Sequence, residues 1–441
     1  MSRPVLIVSP PPTPNGPLHV GHLSGPYVAA DAAARVARDR GEDVLTVCGV
    51  DDHQNYVPAK ARGTDEPAGD LAVREGARIR EAFARLGVSH DLFTRPLADA
   101  AYRDAVVALL AELEERSVVR RVARPVLTCC GRILHHAYVS GKCPWCGAGM
   151  GAGTCEECGG YADPADLAAP VCTACGGTPG RKRQSVLVFP VEEHRDALVR
   201  TWLTAALPAR VRALIAAYRE RPLPELPVAY PTDWGVSTGR GDRVDVWFEM
   251  GLAYLVAVAR HLDPAGRCLR DYVGAWQEVG GLWPFLGVDN AFYYAVLFPA
   301  LFSAAGVPPS AGLRGMSVNE FYLLSGEKFS TSRGHAVWAL DLLDGADPAV
   351  VRWFLLWDRP APGAADFTPE RFAAFDRRWS PLLSRAGSAG GPHAELERAR
   401  HALRLTGFDA PLATRCLMSA AEDSHREAAR LLRLLCLPEL P

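Results

Sequence analysis

The chain has 441 residues, 49% of them hydrophobic, with a formal net charge of −2 and a pI near 6.6. That is room for two or three ordinary cores, and it lacks the basic bias common in nucleic-acid binders, although a local patch could still hold an RNA. No leading charged-then-apolar segment and no uncharged apolar run of membrane length is present, so the chain reads as cytoplasmic, with no membrane partner. Lysine occurs only at Lys60, Lys142, Lys182 and Lys328, arginine supplying nearly all the positive charge, which makes Lys328 conspicuous.

From the N-terminus, Pro4–Ser9 reads as a buried strand, Pro14-Asn15-Gly16-Pro17 as a turn, and His19-Val20-Gly21-His22 as the opening of a helix. This order places two imidazoles and free backbone N–H groups at a helix N-terminus, where a phosphate is favoured. Gly21 allows a nucleotide to approach closely. Asp43–Val50 reads as a second strand, ending at Asp51. With amphipathic helices over Gly21–Asp39, Leu71–Leu86 and Ala98–Glu114, residues 1–115 read as a parallel α/β half.

Residues 116–228 form an insertion, and eight of the twelve cysteines lie between Cys129 and Cys175. Such clustering argues for metal rather than disulfides in a cytosolic chain. Cys143/Cys146 and Cys155/Cys158 are two C-x-x-C knuckles that can hold one tetrahedral zinc; unliganded buried cysteines and a redox pair are the alternatives. Cys172/Cys175 is a third knuckle. With the adjacent Cys129 and Cys130, it forms either a second zinc site or a degenerate one, because neighbouring cysteines bind together only on a bent backbone.

In residues 229–315, Val244–Phe248 and Leu282–Gly287 read as buried strands, each followed by a helix, so this second half completes the first half's sheet. Residues 316–378 carry a Gly-flanked loop with Lys328-Phe329-Ser330-Thr331-Ser332 and the helical run Pro348–Trp357. Residues 379–441 read as a short tail of amphipathic helices, interrupted at 386–392.

PLHVGHLSGPYVAADAAARVARDRGEDVLTVCGVDDHQ and EKFSTSRGHAVW resemble the HIGH and KMSKS signatures of class I aminoacyl-tRNA synthetases, methionyl-tRNA synthetases of the archaeal and eukaryotic type in particular. The resemblance runs from about Val5 to about Arg378. It includes Asp233-Trp234-Gly235, Val246-Trp247-Phe248-Glu249, Phe285–Asn290 and Phe367-Thr368. It implies an α/β fold: a Rossmann-like parallel sheet split by the zinc-knuckle insertion, followed by a stem-contact region and the helical tail.

It further implies ATP with Mg²⁺, structural Zn²⁺, and an amino acid activated as its adenylate. His19, His22 and Lys328 would act on the phosphates. Pro14, Asn15, Gly16, Gly21, Gly287, Asp289, Ser330, Thr331 and Ser332 would bind ATP. Pro11, Thr13, Asp51, Trp247, Gly251, Tyr254, Asn290 and Tyr294 would line the amino-acid pocket, with Asp51 on the α-ammonium group. From the residues alone, a helix cap is the alternative reading of Asp51, and core is the commoner reading of Trp247 and Tyr254. In two-zinc relatives the fourth knuckle is also C-x-x-C, where this chain has Leu127.

Thr13, Gly251 and Tyr294 depart from the family's methionine pocket, Val288 replaces a lysine and Thr331 the loop's second lysine. No segment resembles the anticodon-reading part. Those departures lead to the expectation of transfer to a small-molecule (amine or hydroxylamine) or carrier acceptor in specialised metabolism, with tRNA an unlikely partner and any cupin on a separate chain. A minimal methionyl-tRNA synthetase and an inactive binding or regulatory paralogue are the alternatives.

Overall fold

The computed structural model describes residues 3–329, 334–388 and 390–437. Its centre is a five-stranded sheet in the order Ser317–Asn319, Gly281–Gly287, Val5–Val8, Val44–Gly49, Leu92–Thr94, parallel throughout. Val5 faces Val44 on one side and Gly281 on the other. The chain winds outward from Val5–Val8 in one direction, then returns to build the other half, so the strand order reverses between Val5–Val8 and Gly281–Gly287. At such a switch point the loops part and leave a crevice at the carboxyl ends of the strands.

Side chains alternate across a strand, and Val5–Val8 serves two cores in that way. Leu6 and Val8 pack with the helices Ala100–Glu115 and Val246–Leu262. Ile7 packs with Val28–Asp39 and with the C-terminal helices Pro348–Trp357, Ala410–Glu422 and Arg426–Cys436. Burial on both faces explains the unbroken apolar run.

The expected strand over Val244–Phe248 is corrected. Only Arg243–Val244 is extended, and a helix runs from Val246 to Leu262. Asp245 ends the strand and caps the helix, its carboxylate accepting from the Trp247 N–H at 3.0 Å.

The insertion reaches out on two long antiparallel strands, Arg120–Cys129 and Gly180–Pro190, paired from Thr128↔Gly180 to Arg120↔Val188. At their ends sits the cysteine-rich lobe, whose hairpins fold back toward the crevice. The C-terminal helices dock through a buried charge cluster. Fully buried Arg352 donates to Asp31 (2.6 Å) and to the Leu86 and Leu435 carbonyls, and Arg35 donates to the same carboxylate at 2.7 Å.

Candidate active site

The strand Val5–Val8 runs into a proline-rich turn and then His19, where a short α-helical turn, Val20–His22, passes into a π-helical turn, Leu23–Tyr27. A second π-helical turn, Tyr293–Leu297, follows the Gly287–Asn290 segment across the switch point. Such wide turns displace the side chains before them and recur at functional sites. His19 and His22 stack with ring centroids 3.7 Å apart, and Phe329 stacks on the other face of His19 at 4.7 Å. A Cβ on Gly21 would come within 3.0 Å of the His19 ring, so glycine is what this face accepts.

Burial pushes the His19 pKa down to about 2, helped by neighbouring His22, and burial alone pushes His22 down to about 4. Both rings are therefore neutral near pH 7. His22 Nδ1 accepts from the His19 backbone N–H at 3.3 Å, which leaves the proton on Nε2 and makes that atom a donor.

One cavity of about 1230 Å³ opens from these rings. Of the residues singled out in the sequence, Pro11, Thr13, Asn15, Gly16, His19, Gly21, His22, Asp51, Trp247, Gly287, Asp289, Asn290 and Lys328 line it. Pro14 is buried in the turn behind it. Ser330, Thr331 and Ser332 lie outside the described residues.

Three expected pocket residues sit elsewhere. Gly251 faces the core, where a Cβ would meet Leu301 at 2.7 Å and Phe298 at 3.1 Å. Tyr254 and Tyr294 join hydroxyls at 2.5 Å, and Tyr254 donates to the Ser9 carbonyl, both rings buried behind the cavity wall.

Asp51 is buried against the turn. Thr13 donates to it at 3.4 Å, and its backbone N–H donates to the Pro12 carbonyl. Burial, then the carboxylates of Glu249 and Asp52, push its pKa up. Behind it, Glu249 accepts from Tyr102 (3.0 Å) and pairs with His53 (2.8 Å). Asp51 does not cap the next helix, Tyr56–Ala61, which starts after Asn55. Trp247 stacks face to face on Tyr293 at 3.6 Å.

Both cysteine clusters assemble. The sulfurs of Cys143, Cys146, Cys155 and Cys158, and separately those of Cys129, Cys130, Cys172 and Cys175, lie within 4.8 Å of one another. Each C-x-x-C is followed by a glycine at positive φ (Gly147, Gly159, Gly176) whose N–H returns to the first cysteine's carbonyl at 2.8–2.9 Å. Cys130 itself adopts φ +51°, the bend an adjacent pair requires, and Leu127 is fully buried in the lobe's apolar core.

The lobe that carries these clusters reaches the cavity, although the cysteines themselves do not line it. Its hairpin residues Gly149–Ala152, Thr154 and Glu156 line the cavity. Thr154 donates to the Asp289 carbonyl at 2.5 Å, and Glu156 accepts from Lys328 Nζ at 3.0 Å, with that ammonium 3.9 Å above the Phe321 ring. Asp289 is raised to about 6 by burial and then by Glu156. Sequence reading passed over Thr154, Glu156, His136, Tyr293 and Phe329. Phe329 was in plain view inside the second signature; the others are placed only by the lobe folding back or by the π-helical turn.

A parallel sheet with an HxGH turn at its switch point, faced by a lysine-bearing loop, is the class I synthetase architecture. The family model described as "tRNA synthetases class I (M)" matches residues 5–377. Methionine–tRNA ligases of Methanobrevibacter smithii and Methanopyrus kandleri are each 30% identical to the chain, over 82% and 85% of it and over 54% and 56% of their own lengths. Mycobacterium tuberculosis methionyl-tRNA synthetase, solved with methionyl-adenylate, shares the fold with a TM-score of 0.72 at 18% identity, covering 95% of this chain and 82% of that one. The chain belongs to the class I aminoacyl-tRNA synthetases, in the methionyl-tRNA ligase family. It spans about half the length of the curated relatives it matches.

This overturns the expectation of a tRNA-independent ligase with a small-molecule or carrier acceptor in specialised metabolism, and with it the separate cupin and the dismissal of tRNA: the curated relatives are methionine–tRNA ligases. The geometry shows where the pocket argument failed. Of Thr13, Gly251 and Tyr294, only Thr13 lines the cavity. Among the described residues, no helix is long and apolar enough to cross a membrane.

Proposed function

We propose that the chain activates methionine with ATP, releasing pyrophosphate, and passes the methionyl group from the adenylate to tRNA. The observation that carries this reading is that a single cavity holds neutral His19 and His22 on one wall, Asp51 on its floor and Lys328 at its rim. A carboxylate made costly by burial among other carboxylates is a receptor for the α-ammonium group. Attack of the substrate carboxylate on the α-phosphate builds negative charge near the histidine turn, where His22 Nε2–H is an oriented donor. Lys328 would leave Glu156 for the departing pyrophosphate, sharing that charge with the Mg²⁺ that ATP brings.

The thiolates of Cys143, Cys146, Cys155 and Cys158 fit one tetrahedral zinc with no open position, so that metal would brace the lobe. The second cluster also fits four-sulfur ligation, its bend already in place. Charging of methionine tRNA with radiolabelled methionine tests the reading. Methionyl-tRNA formation that needs both ATP and this protein is expected, and an adenylate formed but never transferred would overturn the tRNA half.

A further inference from the structure

His136 stands out among residues to which none of the above assigns a role. It is buried, carries φ +44°, and lines the same cavity as Asp51 and Trp247. Non-glycine residues enter the left-handed region rarely and at a cost, and they hold it where the surroundings over-determine them. Asn55 supplies that constraint from the catalytic half: its amide donates to the His135 carbonyl at 2.8 Å and accepts from the Ala137 N–H at 3.0 Å, gripping both sides of His136.

The ring is oriented as firmly as the backbone. Its Nε2 donates to Asp245 Oδ2 at 2.6 Å, while Asp245 Oδ1 caps the helix that begins at Trp247. That bond places the proton on Nε2 and leaves Nδ1 as a lone-pair acceptor; among the described residues the ring's hydrogen bond is the one to Asp245. The side chain keeps 11% exposure, enough for one edge to meet the cavity. A carboxylate that orients an imidazole whose other nitrogen faces a substrate cavity is the arrangement of a general base.

We propose that His136, oriented by Asp245, takes the proton from the ribose hydroxyl of the acceptor when the aminoacyl group is transferred. The assignment rests on the adenylate-to-tRNA reading above. The hydroxyl oxygen forms a bond to the adenylate carbonyl carbon, and its proton goes to His136 Nδ1. The bond from that carbon to the phosphate oxygen breaks, and AMP leaves with the electron pair. Asp245 stabilises the imidazolium that results. Near the ring stand His135, held neutral by burial, and Asp163, whose carboxylate accepts from Arg124 at 3.0 Å, with Asp233 near His135.

The test separates the two half-reactions in the full chain. His136→Asn suits the position because asparagine tolerates positive φ; Asp245→Asn is the second variant, since asparagine also caps helices. Single-turnover transfer from preformed methionyl-adenylate to a methionine tRNA is measured from pH 5.5 to 8.5, beside ATP–pyrophosphate exchange. In both variants transfer should fall about 10²-fold more than exchange does. Wild-type transfer should be slower at the acid end of that range than at the alkaline end, as for a reaction that needs a general base, and His136→Asn should flatten that profile. Equal losses in the two half-reactions, or an unchanged transfer profile, would overturn the assignment while leaving the parent reading intact. Wild-type protein without exchange would remove both.

Discussion

His19 and His22 illustrate how burial chooses a protonation state. Since both folded pKa values lie well below 6.5, the neutral forms persist as pH falls, and protonation starts only near pH 4 for His22. The rate of adenylate formation should therefore be flat from pH 8 to 6 as far as these rings decide it. A loss with midpoint near 6.5 that disappears in His22→Ala would contradict this. His22→Ala and Lys328→Ala should each cost about 3 kcal/mol, roughly 10²-fold, of adenylate formation with little loss of amino-acid affinity, as expected for groups acting on developing charge. Pre-steady-state adenylate formation and equilibrium binding separate these effects. At this scale the sequence was legible where a motif fixes local backbone, as in His19–His22. It misled along Val246–Leu262, where Trp247, Gly251 and Tyr254 share a helical face but only the first turn reaches the cavity; the next two turns descend into the core.

Among the elements, the cysteine lobe was the most legible, because C-x-x-C-G spells both the ligands and the left-handed turn that closes each knuckle. Its contact with the active site was not, since nothing local in Gly153-Thr154-Cys155-Glu156 says what the hairpin folds against. The strand expected at Val244–Phe248 failed because a short apolar run suits either structure, and the overlooked signal was Asp245 as a helix cap. If zinc braces the lobe, chelation should raise hydrogen exchange across residues 143–162 and leave Val5–Val8 protected. Equal loss of protection in both segments, or none, would contradict the lobe's separate stabilisation. Thr154→Val, which removes the bond to the Asp289 carbonyl, should weaken ATP binding before it changes global stability, as read by nucleotide titration and urea unfolding.

At the scale of the whole molecule, the C-terminal helices are bound to the catalytic sheet by charge as well as apolar packing. Asp31→Ala would leave Arg352, with no exposed surface, and Arg35 without their carboxylate, and should cost about 3–5 kcal/mol in urea unfolding. A loss below about 1 kcal/mol would mean that the surrounding carbonyls suffice. No sequence pattern pairs Asp31 with Arg352 across 321 positions, whereas the three inner strands Val5–Val8, Val44–Gly49 and Gly281–Gly287 were readable as apolar runs; the edge strands Leu92–Thr94 and Ser317–Asn319, three residues each, were too short to read. The whole molecule is assigned one reaction: the cavity makes an aminoacyl-adenylate, and the amino acid is methionine. ATP–pyrophosphate exchange over the twenty amino acids tests it most directly. Exchange that depends on methionine and falls roughly 10²-fold in Lys328→Ala is the predicted result; exchange with a different amino acid alone, or with none, would contradict it.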